Sequence, residues 1–296
     1  MRTVSLKGDP SLAPLLVRAA LTAHGRGGTA HPTLPETEVE RSDVLVDLAR
    51  LAAYQRVCGY QVRDRLPSTY LHVLSFKLQA RLMAEREFPL ALPGLVHVAQ
   101  TLVLHRTVDA AEPLSLRVRA EGLRPHHRGA QVDLVATARV GEEPVWSGTS
   151  TYLARGARVP DLGSGGASVA AADAEAELPE VGSDRPPTAR WRVPADIGRR
   201  YAMVSGDVNP IHLSALTARL FGFPRAIAHG LWTAARCLAS LEPRTPAAHE
   251  VRVAFRRPVL LPSTVELRTR AVPDGWLFGL ASRSGTEHLR GQLRAL

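Results

Sequence analysis

Three side chains able to move protons stand close together in the run Tyr201–His212 (YAMVSGDVNPIH): the carboxylate of Asp207, the amide of Asn209 and the imidazole of His212. A carboxylate beside an imidazole is a general acid–base pair, able to take a proton from a bound water and return one to a substrate. On a continuous helix, residues five apart are turned about 140° from each other, so Asp207 and His212 would face different ways. Gly206 loosens the backbone, and Pro210 pushes Asn209 out of the helical region. The run therefore predicts a helix end, a tight turn and a new helix start, which folds both groups onto one site. The plain alternative is a capping aspartate and a surface histidine.

A second run, Ile227-Ala-His-Gly-Leu231, opens an apolar stretch to Leu241. Gly230 would sit at the start of that helix, where backbone N–H groups are free and the dipole is positive. Such an amide can hold an oxygen that gathers negative charge, and glycine lets it approach. Asn209 can hydrogen-bond inside the turn and orient its neighbours, and Ser205 can cap or bond to Asp207. Tyr201 more naturally packs than reacts.

Taken whole, Ser205-Gly-Asp-x-Asn-Pro-x-His212, preceded by an aromatic and followed by Ala228-His229-Gly230, resembles the signature of the MaoC-like (R)-specific enoyl-thioester hydratases, or 3-hydroxyacyl-thioester dehydratases, which have the hotdog fold. The resemblance implies that Asp207 and His212 hold a catalytic water, giving syn addition and an (R)-3-hydroxy product. It makes Gly230 the oxyanion donor and leaves Asn209, Ser205 and His229 as supporting residues around the substrate. His229 matches the family motif and reads as structural. No metal and no cofactor are implied.

The surrounding elements must place these groups. Pro194 opens a helix with Ile197, Tyr201 and Val204 on one face; Leu213–Leu220 is a short helix; Gly230–Leu241 is the apolar one. Four alternating segments follow (Glu250–Arg257, Thr264–Val272, Trp276–Ser282, Leu289–Arg294), each reading as a strand. The front of the chain has the same order. Leu48 to Gly59 and Ser68–Glu85 carry helical spacing, with Ser68 or Thr69 as N-cap, then Val96–Leu104, Leu114–Ala120, Ala130–Arg139 and Val145–Leu153 alternate. Residues 1–33 show little pattern. Tyr54–Tyr60 parallels Tyr201–Asp207, His72-Val-Leu74 parallels His229-Gly-Leu231, and Pro113–Val118 parallels Pro262–Leu267. The front copy lacks the Asn-Pro-x-His segment and carries Tyr60 in place of the carboxylate.

The expected fold class is therefore α+β, a double hotdog: an N-terminal degenerate unit (1–155), a mobile linker (156–187) and a C-terminal catalytic unit (188–296). A lone hotdog leaves an open sheet edge, which a second unit would continue. The fused pair can stand alone or form a homodimer.

Composition narrows the partners. The chain of 296 residues has formal net charge +9, but its basic residues are scattered, without a block of five or six, which argues against nucleic acid. Only Lys7 and Lys77 are lysines, so 37 − 2 = 35 of the basic residues are arginine, a compositional bias. Positive potential would still draw the phosphates of coenzyme A or an acidic acyl carrier protein. No apolar run reaches membrane-spanning length, and Leu12–Leu21 is a poor signal peptide. Cys58 and Cys237 make neither a disulfide framework nor a zinc motif, so a cytoplasmic protein is expected. The expected activity is hydration of trans-2-enoyl thioesters of coenzyme A or carrier protein. A hotdog acyl-CoA thioesterase and a non-catalytic acyl-binding subunit are the rivals.

Overall fold

The computed structural model describes residues 2–10, 33–91, 95–159, 178–182 and 185–296. The first unit contains β1 (Arg2–Ser5), β2 (Thr37–Val44), α1 (Leu48–Cys58), α2 (Ser68–Met83), β3 (Leu95–Leu104), β4 (Leu114–His126), β5 (Gly129–Val140) and β6 (Glu143–Arg155). The second contains β7 (Ala189–Val193), α3 (Ile197–Ser205), a 3₁₀ turn (Pro210–His212), α4 (Ala215–Arg219), α5 (Gly230–Leu241), β8 (His249–Phe255), β9 (Ser263–Val272), β10 (Gly275–Ser282) and β11 (Glu287–Ala295). The alternating segments are strands and the apolar run is a helix, as their periodicities require.

All strands form one sheet in the order β1-β2-β4-β5-β6-β3-β8-β11-β10-β9-β7. Counted outward from the centre, β3-β6-β5-β4-β2 on one side mirrors β8-β11-β10-β9-β7 on the other. The two halves join where β3 pairs antiparallel with β8, Ala99 opposite Ala254 and Leu104 opposite His249. Each unit therefore covers the edge that the other would leave open. This is a double hotdog.

The repeat is visible in the backbone. Gly59 ends α1 at φ 82° and Gly206 ends α3 at φ 81°, both left-handed caps that glycine adopts at no steric cost. After these caps the units diverge. The first needs 67 − 59 = 8 residues to reach α2; the second spends 229 − 206 = 23 before α5. The extra residues carry the 3₁₀ turn, α4 and the Asn-Pro-x-His segment.

One apolar core runs across both units, from Leu51 and Tyr54 through Tyr201 and Leu231 to Leu293. The Tyr54 and Tyr201 rings lie 6.1 Å apart, and Trp232 Nε1 donates to the Val57 carbonyl at 3.0 Å. Arg50 Nε donates to the Val204 carbonyl at 2.8 Å. These contacts fasten the two helical layers together.

Several expectations are corrected. Arg2–Ser5, within the patternless leader, pairs in parallel with β2; residues 11–32 lie outside the described residues. Strands β2 and β7 were not expected. The N-cap of α2 is Pro67, not Ser68 or Thr69; Ser68 Oγ instead meets His249 Nε2 at 3.2 Å. Two side chains of the expected linker are packed. Leu178 and Val181 are buried against the sheet, and Arg290 holds the Leu178 carbonyl at 3.1 Å and the Glu180 carboxylate at 2.7 Å. Two apolar side chains in a charged stretch suffice to pin it there. The remainder of 156–187 lies largely outside the described residues.

Candidate active site

The turn after α3 forms as the sequence requires. Ser205 Oγ donates to the Tyr201 carbonyl at 2.8 Å and accepts the Asp207 amide at 3.1 Å. Asp207 Oδ1 accepts the Asn209 amide at 3.2 Å, and Asn209 Oδ1 accepts the Ile211 amide at 3.3 Å. Successive side-chain turns of this kind replace the helical ladder. Gly198 completes the support: a Cβ there would collide with the His212 carbonyl oxygen, so α3 and the 3₁₀ turn touch backbone to backbone.

Asp207, His212 and His229 converge. One donor atom from each lies within 4.8 Å of the other two. His212 is buried, and its Nδ1 meets the Ile227 carbonyl at 2.8 Å. A carbonyl only accepts, so Nδ1 carries the proton and Nε2 keeps its lone pair. His229 donates Nε2–H to the Asp207 carbonyl at 3.0 Å, with its Nε2 3.8 Å from Oδ2 of the same residue. Its ring stacks on that of His212 at 3.6 Å, and its Nδ1 is buried without a partner. Gly230 opens α5, so its amide has no intrahelical acceptor.

These groups line a cavity between the two units, with Tyr201, Ser205, Asn209 and Gly230. The same cavity is walled by His72, Phe76, His97 and Tyr152 of the first unit. The His97 and Tyr152 rings stack at 4.9 Å, and Phe255 lies 4.9 Å from His97 while covering Gly230. Nothing in the residue pattern marks His97, Tyr152 or Phe255 as cavity residues. Strand alternation shows which residues share a face, not that the face borders a site.

Burial in the cavity shifts Asp207 and the histidines beside it. Burial raises the Asp207 carboxyl above its usual value, opposed by His212 and the Asn209 amide. Burial lowers His212, opposed by Asp207 and the Ile227 carbonyl. Burial and His212 hold His229 well below its usual value. In the first unit, burial and His97 push His72 down to about 3, and burial lowers His97 to about 4. All of these imidazoles are neutral at pH 7. The Asp207, His212 and His229 set could also receive a cation, although each histidine already commits one nitrogen to a carbonyl.

The first unit repeats the glycine cap without the Asn-Pro-x-His segment. Tyr60 follows Gly59 where Asp207 follows Gly206; its hydroxyl bonds Thr69 Oγ1 at 3.2 Å within the core. The parallel of His72 with His229 needs correction. His229 immediately precedes α5, whereas His72 lies inside α2, which starts at Ser68. The amide of Val73 is thereby drawn into the helical ladder, unlike that of Gly230.

Residues 178–278 match the MaoC like domain family. The chain is also 37% identical over 265 residues to 3-hydroxyacyl-thioester dehydratase X of Mycobacterium tuberculosis, covering 89% of this chain and 91% of that protein. It belongs to the MaoC-like dehydratase family. The crystal structure of HtdX from Mycobacterium tuberculosis superposes with TM-score 0.75 at 35% identity, covering 88% of this chain and 100% of that one. A 3-hydroxybutyryl-CoA dehydratase of Methylorubrum extorquens is 40% identical over 72 residues, 23% of this chain and 46% of the relative. The MaoC-like motif thus lies on the insertion that distinguishes the second unit from the first.

Proposed function

We propose that the protein catalyses the reversible hydration of trans-2-enoyl thioesters of coenzyme A or acyl carrier protein to (R)-3-hydroxyacyl thioesters. The observation that carries this reading is the convergence of Asp207 and His212 in a cavity that the free Gly230 amide also faces. Two hydrogen bonds of about 2.8 Å meeting at a tetrahedral water place their partners about 4.5 Å apart, which the spacing of these donor atoms accommodates.

Water held between the carboxylate and the imidazole loses a proton to that pair as its oxygen adds to C3. The thioester oxygen gathers the displaced electron pair and is held by the Gly230 amide. The proton delivered to C2 returns from the same pair. Both new bonds then form on one face, and dehydration is the same path reversed. Neutral His212, with its Nε2 lone pair free, accepts the proton of the water that the Asp207 carboxylate orients, and the pair then passes that proton to C2. Asn209 and Ser205 hold the loop, and His229 holds the loop and the His212 ring together.

The first unit (1–155) is assigned no chemistry. It supplies the far wall of the cavity and part of an acyl tunnel; residues 188–296 carry the reaction. Two buried free thiols, Cys58 and Cys237, suit a reducing cytoplasm, and no helix among the described residues is long and apolar enough to cross a membrane. Incubation with crotonyl-CoA separates this reading from a thioesterase. Loss of enone absorbance without free thiol supports it; free coenzyme A appearing first overturns it.

A further inference from the structure

The loop that carries the motif also carries an exposed apolar patch with a cationic border. Leu216 and Leu220, four residues apart across α4, are 74% and 79% exposed, and Phe221 is 39% exposed. Residues four apart on a helix share a face, and Ala218 on the opposite side is buried. In the same segment of chain Arg199, Arg200, Arg219 and Arg225 are exposed. Arg199, Arg219 and Arg225 reach backbone carbonyls, and among the described residues none of the four pairs with a carboxylate. From Pro194 to Arg225 the only acidic residues are Asp196 and Asp207, and Asp207 lies in the cavity. The patch lies beside the cavity: Ile211 and Phe223, either side of α4, line it, as do the exposed Arg256 and Arg257.

We propose that Leu216, Leu220 and Phe221, with Arg199, Arg219 and Arg225, are a docking platform for an acidic protein that delivers the thioester on a flexible arm. The inference rests on the hydratase reading above and chooses among its carriers. Arginines alone would suit the phosphates of coenzyme A equally well, and an adenine ring would need one apolar contact. Three large apolar side chains held out to solvent are more than that, and match the apolar centre that a protein interface requires inside a charged rim. Acidic charge on the partner would meet the arginines and speed encounter at low salt.

The test compares one enoyl group on an acidic acyl carrier protein, on coenzyme A and on pantetheine. The wild-type protein should show the highest kcat/KM with the carrier protein, falling as salt rises. The double substitution Arg219→Glu with Leu220→Ser should lower that value by about tenfold, as rim charges alter encounter rates, and leave the pantetheine thioester unchanged. Equal loss on all three carriers, or no preference for the protein-borne substrate, overturns the platform. So does a change in self-association or in binding to anionic vesicles with turnover on the carrier protein intact. Absence of turnover on every thioester would instead sink the hydratase reading. The platform is then judged by calorimetric titration with the carrier protein alone: binding weakened by the double substitution upholds it, and no binding rejects it.

Discussion

The ring of His229 lies against the ring of His212 with centroids 3.6 Å apart, while its Nε2 holds the carbonyl of Asp207 at 3.0 Å. One buried side chain therefore ties the acid, the base and, as the residue before Gly230, the helix start. Replacing it by glutamine keeps a donor for the Asp207 carbonyl but removes the ring. His229→Gln should lower kcat by roughly tenfold with the fold retained, a share of the 10²–10⁴-fold scale for a positioned acid–base group. Steady-state kinetics and circular dichroism check this; unchanged kcat would make His229 a packing residue only.

Asp207→Asn and His212→Ala should each lower kcat by about 10²–10⁴-fold. The two differ in stability. The Asp207 carboxyl is raised by burial, so its charged form opposes folding at neutral pH. Asp207→Asn removes that charge and keeps an acceptor for the Asn209 amide. It should raise the melting temperature as it abolishes activity; a lowered melting temperature would contradict the assigned cost of burial.

Activity should depend on pH through the coupled pair. Burial raises Asp207 and lowers His212, which draws the two titrations towards each other. The kcat/KM profile should be flat at neutral pH and fall on acidification, with apparent values belonging to the pair rather than to either residue. Stability should follow in the same direction. His72, His97, His212 and His229 bind protons more weakly when folded than when unfolded, so stability is full above about 6.5 and is lost as pH falls below it. Activity that increases as the pH is lowered would contradict the account.

Gly198 tests the support beneath the site. It touches no cavity residue with a side chain, yet a methyl group there would strike the His212 carbonyl. Glycine to alanine within a helix ordinarily stabilises by about 0.5–1 kcal/mol. Gly198→Ala should instead cost at least about tenfold in kcat, the reach of a small misplacement of a reacting group. Tyr60→Phe, deep in the other unit, should leave kcat unchanged. Comparable losses in both would remove the distinction between an active and a silent unit.

Much of this was legible beforehand, and the reasons differ by element. Gly59 and Gly206 marked the ends of α1 and α3 because only glycine takes that left-handed turn cheaply. Alternation found the eight long strands, since each has one buried face. It missed β1, β2 and β7, which are short or at the sheet margins, where neighbours supply pairing that local pattern does not record. The turn that brings Asp207 towards His212 was legible from Gly206 and Pro210, and the place of Gly230 from the apolar run it opens. His97 and Tyr152 were not, because their position at the cavity depends on β3 meeting β8, a contact between residues far apart in the chain. Leu178 and Val181 were hidden in a stretch whose charge suggested solvent.

The claim that Asp207 and His212 share one water is tested most directly by stereochemistry. Crotonyl-CoA is hydrated in deuterium oxide and the product is resolved by proton NMR. The account predicts (R)-3-hydroxybutyryl-CoA carrying deuterium at C2 on the same face as the new hydroxyl. A product with the two groups added to opposite faces would require an acid and a base on either side of the substrate, and would contradict it.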